Sequence, residues 1–131
     1  MAAADPHDPA LVSFWTERHL CSFTTLRADG SPHVVAVGAT YDPDSMTARI
    51  ITSDGTVKVR NVDRSDGAAR VAICQVDGRR WSTLEGTARV SRDPDDVAES
   101  VRRYAERYRQ PRENPRRVTI LVDVHRVLGH G

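Results

Sequence analysis

Apolar residues recur along this chain with two periods, and the places where the period changes mark its elements. In LCSFTTL (20–26), PHVVAVGATY (32–41), MTARIIT (46–52), AARVAICQV (68–76), RRWSTLEGTARV (79–90) and RRVTILVDVHRVLG (116–129), β-branched and aromatic residues dominate. These runs predict six strands. Turn chemistry separates them: ADGS (28–31) and DPDS (42–45) join the first three, and the Asp-Gly pair at 77–78 joins the fourth to the fifth. Gly86 interrupts the fifth run and predicts a bulge or a close backbone approach.

The remaining apolar stretches have helical spacing. Asp8 is placed to cap a first helix, Pro9 suits its opening position, and Leu11, Val12, Phe14 and Trp15 form its apolar face. NVDRSDG (61–67) has room for a short helix. Asp93 caps and Pro94 starts a longer one, in which Val97, Val101, Tyr104, Ala105 and Tyr108 share a face before Pro111 ends it. The order α-β-β-β-α-β-β-α-β, with strands joined mainly by hairpins, predicts a mainly β fold: an antiparallel barrel with short marginal helices. A doubly wound parallel sheet would need a crossover helix between most strands.

Length and composition narrow the function classes. At 131 residues the chain is expected to be a single domain, spanning 1–131, with a core that needs no disulfide or structural metal. A formal net charge of +1 argues against a general nucleic-acid binder. Cys21 and Cys74 each lie in an apolar run without CxxC spacing and read as buried free thiols of a cytoplasmic protein. No secretory signal and no apolar run of membrane-spanning length is visible, so no membrane partner is expected.

The candidate chemistry starts from one anomaly. The chain has 19 basic residues, and Lys58 alone is lysine. It lies in SDGTVKVRN (53–61), where Thr52, Ser53, Thr56, Lys58, Arg60 and Asn61 crowd around a glycine. Hydroxyls, amides, a mobile ammonium and a helix starting near Thr56 are what a phosphate needs; the alternative is a solvated turn. Arg107, Arg109, Arg112, Arg116 and Arg117 form a second cluster, suited to an acidic ligand or simply to a solvated helix end. His33 is either a ligand contact or a structural histidine, and Trp81 either core or a wall for a flat ligand. The histidines show no metal spacing, and no nucleophile motif is present. A small barrel with an anion loop and few catalytic side chains suits a cofactor that carries the hard chemistry.

The stretches TTLRADGSPHVVAVGATYDPDSMTARIIT, KVRNVDR, VAICQVDGRRWSTLEGTARV and RYAERYRQPRENPRRVTILVDVHRVLG resemble the pyridoxamine-5'-phosphate-oxidase-like split β-barrel superfamily. Within it the chain is most similar to the F420-dependent flavin/deazaflavin oxidoreductases of the B type, and there to the actinobacterial F420-dependent biliverdin reductase group. The resemblance implies a six-stranded split barrel, a homodimer with cofactor at the interface, and hydride transfer from reduced F420 to a small conjugated substrate such as a biliverdin-like tetrapyrrole. Lys58 matches the family's basic residue for the cofactor phosphate, with Ile51, Thr52, Ser53, Thr56, Val57 and Asn61 around it. His33, Val35, Ala36 and Val37 match the strand along the tricyclic ring, and Gln75 matches a nearby strand position. Trp81, Arg116 and Arg117 match positions that reach the site from the partner subunit. His33 and Arg27 are candidates for the proton source, and no catalytic side chain is assigned. The alternatives are an FMN-dependent oxidase or reductase, and a non-catalytic carrier of flavin, F420 or tetrapyrrole.

Overall fold

The predicted strands form, and one of them divides. The computed structural model describes residues 2–131, with the order α1 (Pro9–Thr16), β1 (Cys21–Leu26), β2 (Pro32–Val37), β3 (Ala39–Asp42), β4 (Thr47–Ser53), α2 (Val57–Asp63), β5 (Ala69–Asp77), β6 (Arg80–Ser91), α3 (Pro94–Arg107) and β7 (Arg117–His130). The strands are therefore seven, not six: the run 32–41 breaks at Gly38. All pair antiparallel in one sheet of order β2-β1-β5-β6-β7-β4-β3.

That order places consecutive strands β2 and β3 at opposite edges of the sheet, with Gly38 alone between them. Two Cα steps cover at most about 7.6 Å, so the sheet must curl until its edges meet. No ladder joins β2 to β3, so hydrogen bonds do not close the curl. Helix α3 serves the seam instead. The Tyr108 hydroxyl accepts from the Ala39 N–H at 3.1 Å, and Arg107 donates to the Ala39 carbonyl at 2.5 Å. Gly38 is required there because a Cβ would lie 2.8 Å from the Tyr104 ring.

Inside the curl sit Phe23, Ile50, Ile73, Leu84, Ile120 and Val122, each at most 1% exposed. Each such burial is worth about 1.5–3 kcal/mol. Helix α1 caps the core with Leu11, Phe14 and Trp15; the Trp15 indole donates to Ser82 Oγ at 2.9 Å. The caps read from sequence form: Asp8 accepts from the Ala10 amide, and Asp93 from the Asp95 amide. Helix α3 is fastened to the sheet through Ser100, which accepts from Thr119 at 2.8 Å and from Arg49 at 3.0 Å.

Gly86 is a bulge, with the β6–β7 register shifting between Glu85 and Gly86. A Cβ at Gly86 would overlap the Asp123 carbonyl, a backbone group with nowhere to go. Gly86→Ala is therefore expected to cost at least about 2 kcal/mol in denaturant unfolding, the scale of severe single substitutions. A loss within about 0.5 kcal/mol, the range of neutral surface changes, would show that the bulge relaxes freely.

Candidate cofactor site

A cavity of about 330 Å³ opens beside the seam, lined by Ala36, Val37, Gly38, Ile51, Thr52, Ser53, Lys58, Tyr104, Pro111, Asn114 and Arg117. Helix α3 contributes Tyr104 to it and β7 contributes Arg117. Strand β2 and Gly38 supply one wall, the end of β4 the floor, α2 the lysine, and the loop between α3 and β7 the rim. The register pairs Ser53 with Arg117 at the mouth.

Lys58 stands in the first turn of α2, half-buried. Among the described residues its ammonium has no hydrogen bond and no ion pair. Burial lowers its pKa from the ordinary lysine value. The nearest acid of the loop is otherwise engaged: Asp54 takes both oxygens to Arg92, at 3.0 and 2.9 Å, and that bond holds its carboxyl below the usual carboxylate range. Arg92 also binds Asp63 at 2.8 Å, tying the loop before α2 to the helix's last residue. Arg117 donates to the Arg112 carbonyl at 2.6 Å and has no carboxylate partner among the described residues. Two uncompensated cations thus line a cavity that contains no acidic side chain.

The hydroxyls are arranged to complement them. Asn114 Nδ2 donates to Ser53 Oγ at 2.7 Å, which leaves the Ser53 proton free for a ligand. Asn114 Oδ1 accepts from the Arg116 amide, fixing the rim loop. Thr56 Oγ1 donates to the Ser53 carbonyl and makes no cap to α2.

Seven of the expected residues meet here: Ala36, Val37, Ile51, Thr52, Ser53, Lys58 and Arg117. The rest lie elsewhere. Asn61 is buried and donates to Thr25 Oγ1 at 2.9 Å, bridging α2 to β1. Gln75 is 1% exposed; its amide donates to the Phe14 carbonyl and its oxygen accepts from Arg107 at 2.7 Å. Val35 packs against the core, and Val57 faces outward. His33 sits opposite Thr25, outside the cavity, with Nδ1 buried and without a partner among the described residues. Arg27 donates to the Pro32 carbonyl in the first hairpin. Arg116 donates to the Asp54 carbonyl at 3.0 Å and braces the loop from outside. Trp81 pairs with His130, at the other end of β7 from Arg117. Arg107 departs furthest from a solvated helix end, being 8% exposed.

Gly38, Tyr104, Pro111 and Asn114 were not anticipated. Tyr104 reads as core by helical spacing, and only its i,i+4 partner Tyr108 hints at an aromatic wall; the two rings stack with centroids 4.9 Å apart. Tyr104 also lines a second hollow of about 340 Å³ with Arg18, Leu20, Tyr108 and Arg109. Leu20 is 74% exposed there.

The family model described as pyridoxamine 5'-phosphate oxidase matches residues 7–131. The chain belongs to that family. A curated member, the F420H(2)-dependent biliverdin reductase of Mycobacterium tuberculosis (strain CDC 1551 / Oshkosh), is 57% identical over 118 residues, covering 90% of this chain and 84% of the relative. The fold recurs in a conserved hypothetical protein of Mycobacterium tuberculosis, at TM-score 0.77 and 22% identity over 94% of this chain and 83% of that one. A structure described as an F420 reductase aligns at TM-score 0.70 and 23% identity, covering 88% of this chain and 94% of that one.

An unpaired half-buried ammonium has a cost that depends on pH. Its lowered pKa means that the folded chain releases the proton first. The cost is present at neutral pH and is relieved as the pH rises from the folded value toward the unfolded one. Lys58→Met is expected to melt at the same or a higher temperature than the natural chain at pH 7. The difference should shrink on raising the pH toward 10.5. A clear fall in melting temperature at pH 7 would mean that the ammonium has a stabilising partner.

Proposed function

We propose that this protein is an F420-dependent reductase of a conjugated small molecule, with the cofactor's phosphate held at Lys58 and Arg117. The observation that carries the reading is the pair of uncompensated cations, set among the hydroxyls of Thr52 and Ser53, in a cavity without a carboxylate. The relative named as an F420H(2)-dependent biliverdin reductase supports both the cofactor and the direction of reaction.

When bound, reduced F420 supplies a hydride from its deazaflavin ring. The chain's residues bind, orient and exclude water. Lys58 reaches a phosphate oxygen as a compact, mobile charge, and Arg117 adds a planar donor set. Ser53, held by Asn114, is left to donate. Val37, Ile51 and the Tyr104 ring give an apolar wall against which a flat tricycle packs. The second hollow shares Tyr104 with the cavity, which supports it as the place of the substrate. Its Leu20 and Tyr108 suit an apolar conjugated body, and Arg18 and Arg109 suit two carboxylates, as in the propionates of a biliverdin-like tetrapyrrole. Neither hollow is lined by a carboxylic acid or a histidine. Burial raises the pKa of Tyr108, and its hydroxyl is engaged with the His19 carbonyl at 2.6 Å. The accompanying proton therefore comes from solvent.

The reading includes a homodimer. The outward face of β2, β1, β5 and β6 carries Val34 and Ala36, Thr24 and Ser22, Ala72, Cys74 and Val76, and Trp81 and Thr83, with charge entering only toward one end, at Glu85 opposite Ala72 and at Arg70. Val34 is 61% exposed and Val76 66%. Ala36 belongs both to this face and to the cavity, so a second copy seated on it would complete the cavity wall. Trp81 would reach a cofactor only across such an interface.

Titration of the purified protein with F420 and FMN tests the first part. F420 is expected to bind more tightly, and Lys58→Ala to weaken it by roughly 1.5–3 kcal/mol, the scale of a charged hydrogen bond. Unchanged affinity removes Lys58 from the site, preference for FMN moves the chain to the oxidase alternative, and tight binding without oxidation of reduced F420 by biliverdin favours a carrier. For the second part, Val34→Asp is expected to convert a dimer into monomers in analytical ultracentrifugation. A variant that stays dimeric places the interface on another face.

A further inference from the structure

We propose that the hollow between α1, β3 and α3 is a binding site for a small monovalent anion, no larger than formate or bromide, held by Arg107 and Thr40. This site is separate from the cofactor cavity and does not depend on the reading above. The hollow measures about 160 Å³ and is lined by Trp15, Thr16, Thr40, Tyr41, Arg103, Glu106 and Arg107.

Two independent observations meet in it. Arg107 is 8% exposed and carries a full charge, yet its three acceptors are neutral: the Glu17 carbonyl at 2.8 Å, the Ala39 carbonyl at 2.5 Å and Gln75 Oε1 at 2.7 Å. A guanidinium has five N–H groups, so two remain without an acceptor among the described residues. The Trp15 and Tyr108 rings lie 5.4 and 5.2 Å from its central carbon and soften the charge without neutralising it. The second observation is Thr40, 8% exposed, whose Oγ1 has no hydrogen-bond partner among the described residues. A buried cation without a counter-ion and a buried hydroxyl without a partner are each uncommon. Here both line one polar hollow.

The other charged groups of the hollow do not supply the missing anion. Glu106 is bound to Arg102 at 2.5 Å and is turned toward solvent. Arg103 is balanced by Glu99 at 2.8 Å and Asp42 at 3.6 Å. Water would satisfy the open donors but leave the charge of Arg107 uncompensated. A small anion does both, accepting from the guanidinium and from the Thr40 hydroxyl. Because Arg107 also donates to Ala39, an occupied site tightens the seam beside Gly38.

The test is thermal unfolding of the full chain at fixed ionic strength, with sodium formate replacing sodium gluconate, whose longer anion does not fit. The melting temperature is expected to rise by several degrees with formate and to saturate, as for a ligand that binds only the folded state. Thr40→Val should lose at least half of that rise, and Thr40→Ser should keep it. Equal melting in the two salts, or an undiminished rise in Thr40→Val, overturns the proposal. Crystals of the natural protein soaked in bromide give a readout independent of any variant. An anomalous peak beside Arg107 and Thr40 supports the site, and peaks only elsewhere overturn it.

Discussion

One residue joins the two edges of the sheet, and the rest of the molecule is arranged around that constraint. With β2 at one edge, β3 at the other and Gly38 between them, the sheet has to curl until its ends touch. A seven-stranded sheet does not manage this by twist alone; the bulge at Gly86 adds curvature in the strand at its centre. At the seam the backbone of Ala39 lacks a strand partner on one side, and side chains of α3 and its end, Arg107 and Tyr108, take that role. The position of α3 is thus set by the seam. The candidate cofactor cavity lies where α3, Gly38 and the end of β4 converge.

The cavity itself is a local departure from what stability favours. Elsewhere the chain pairs its charges densely: Arg80 with Glu17 and Asp77, Arg92 with Asp54 and Asp63, Arg102 with Glu99 and Glu106. Lys58 and Arg117 are left out of these networks. Desolvating a cation without a partner costs free energy, and folds tolerate this mainly where binding needs it. The choice of lysine at this half-buried position also follows. Its flexible stem lets the charge follow an oxygen, and losing its hydration is compensated only when an anion arrives.

The sequence was most legible where local chemistry decides the outcome. The Asp-Gly turn, the Asp-Pro helix starts and the bulge at Gly86 each follow from what one or two residues allow, and all form as expected. The grouping of Thr52, Ser53 and Lys58 at one cavity was legible too, because hydroxyls, a glycine and a lone lysine lie within ten residues of each other. What stayed hidden depends on partners far along the chain. PHVVAVGATY reads as one strand because nothing in it reveals that Gly38 faces Tyr104, 66 residues away by number. Asn61, Gln75 and Arg107 are polar residues in otherwise apolar settings, and such residues look alike whether they wait for a ligand or for a distant carbonyl. Here Thr25, Phe14 and Ala39 provide the partners.

The meeting of the two edges also bears on how the protein avoids self-association of the wrong kind. An open sheet exposes unpaired N–H and C=O groups that can template the addition of strands from other chains. In this chain one edge strand, β3, has only four residues and is covered by α3; the other, β2, has six and begins at a proline. Little edge is left for an extended segment to join, so a fold that is not closed by hydrogen bonds still gains much of a closed sheet's resistance to amyloid-like stacking.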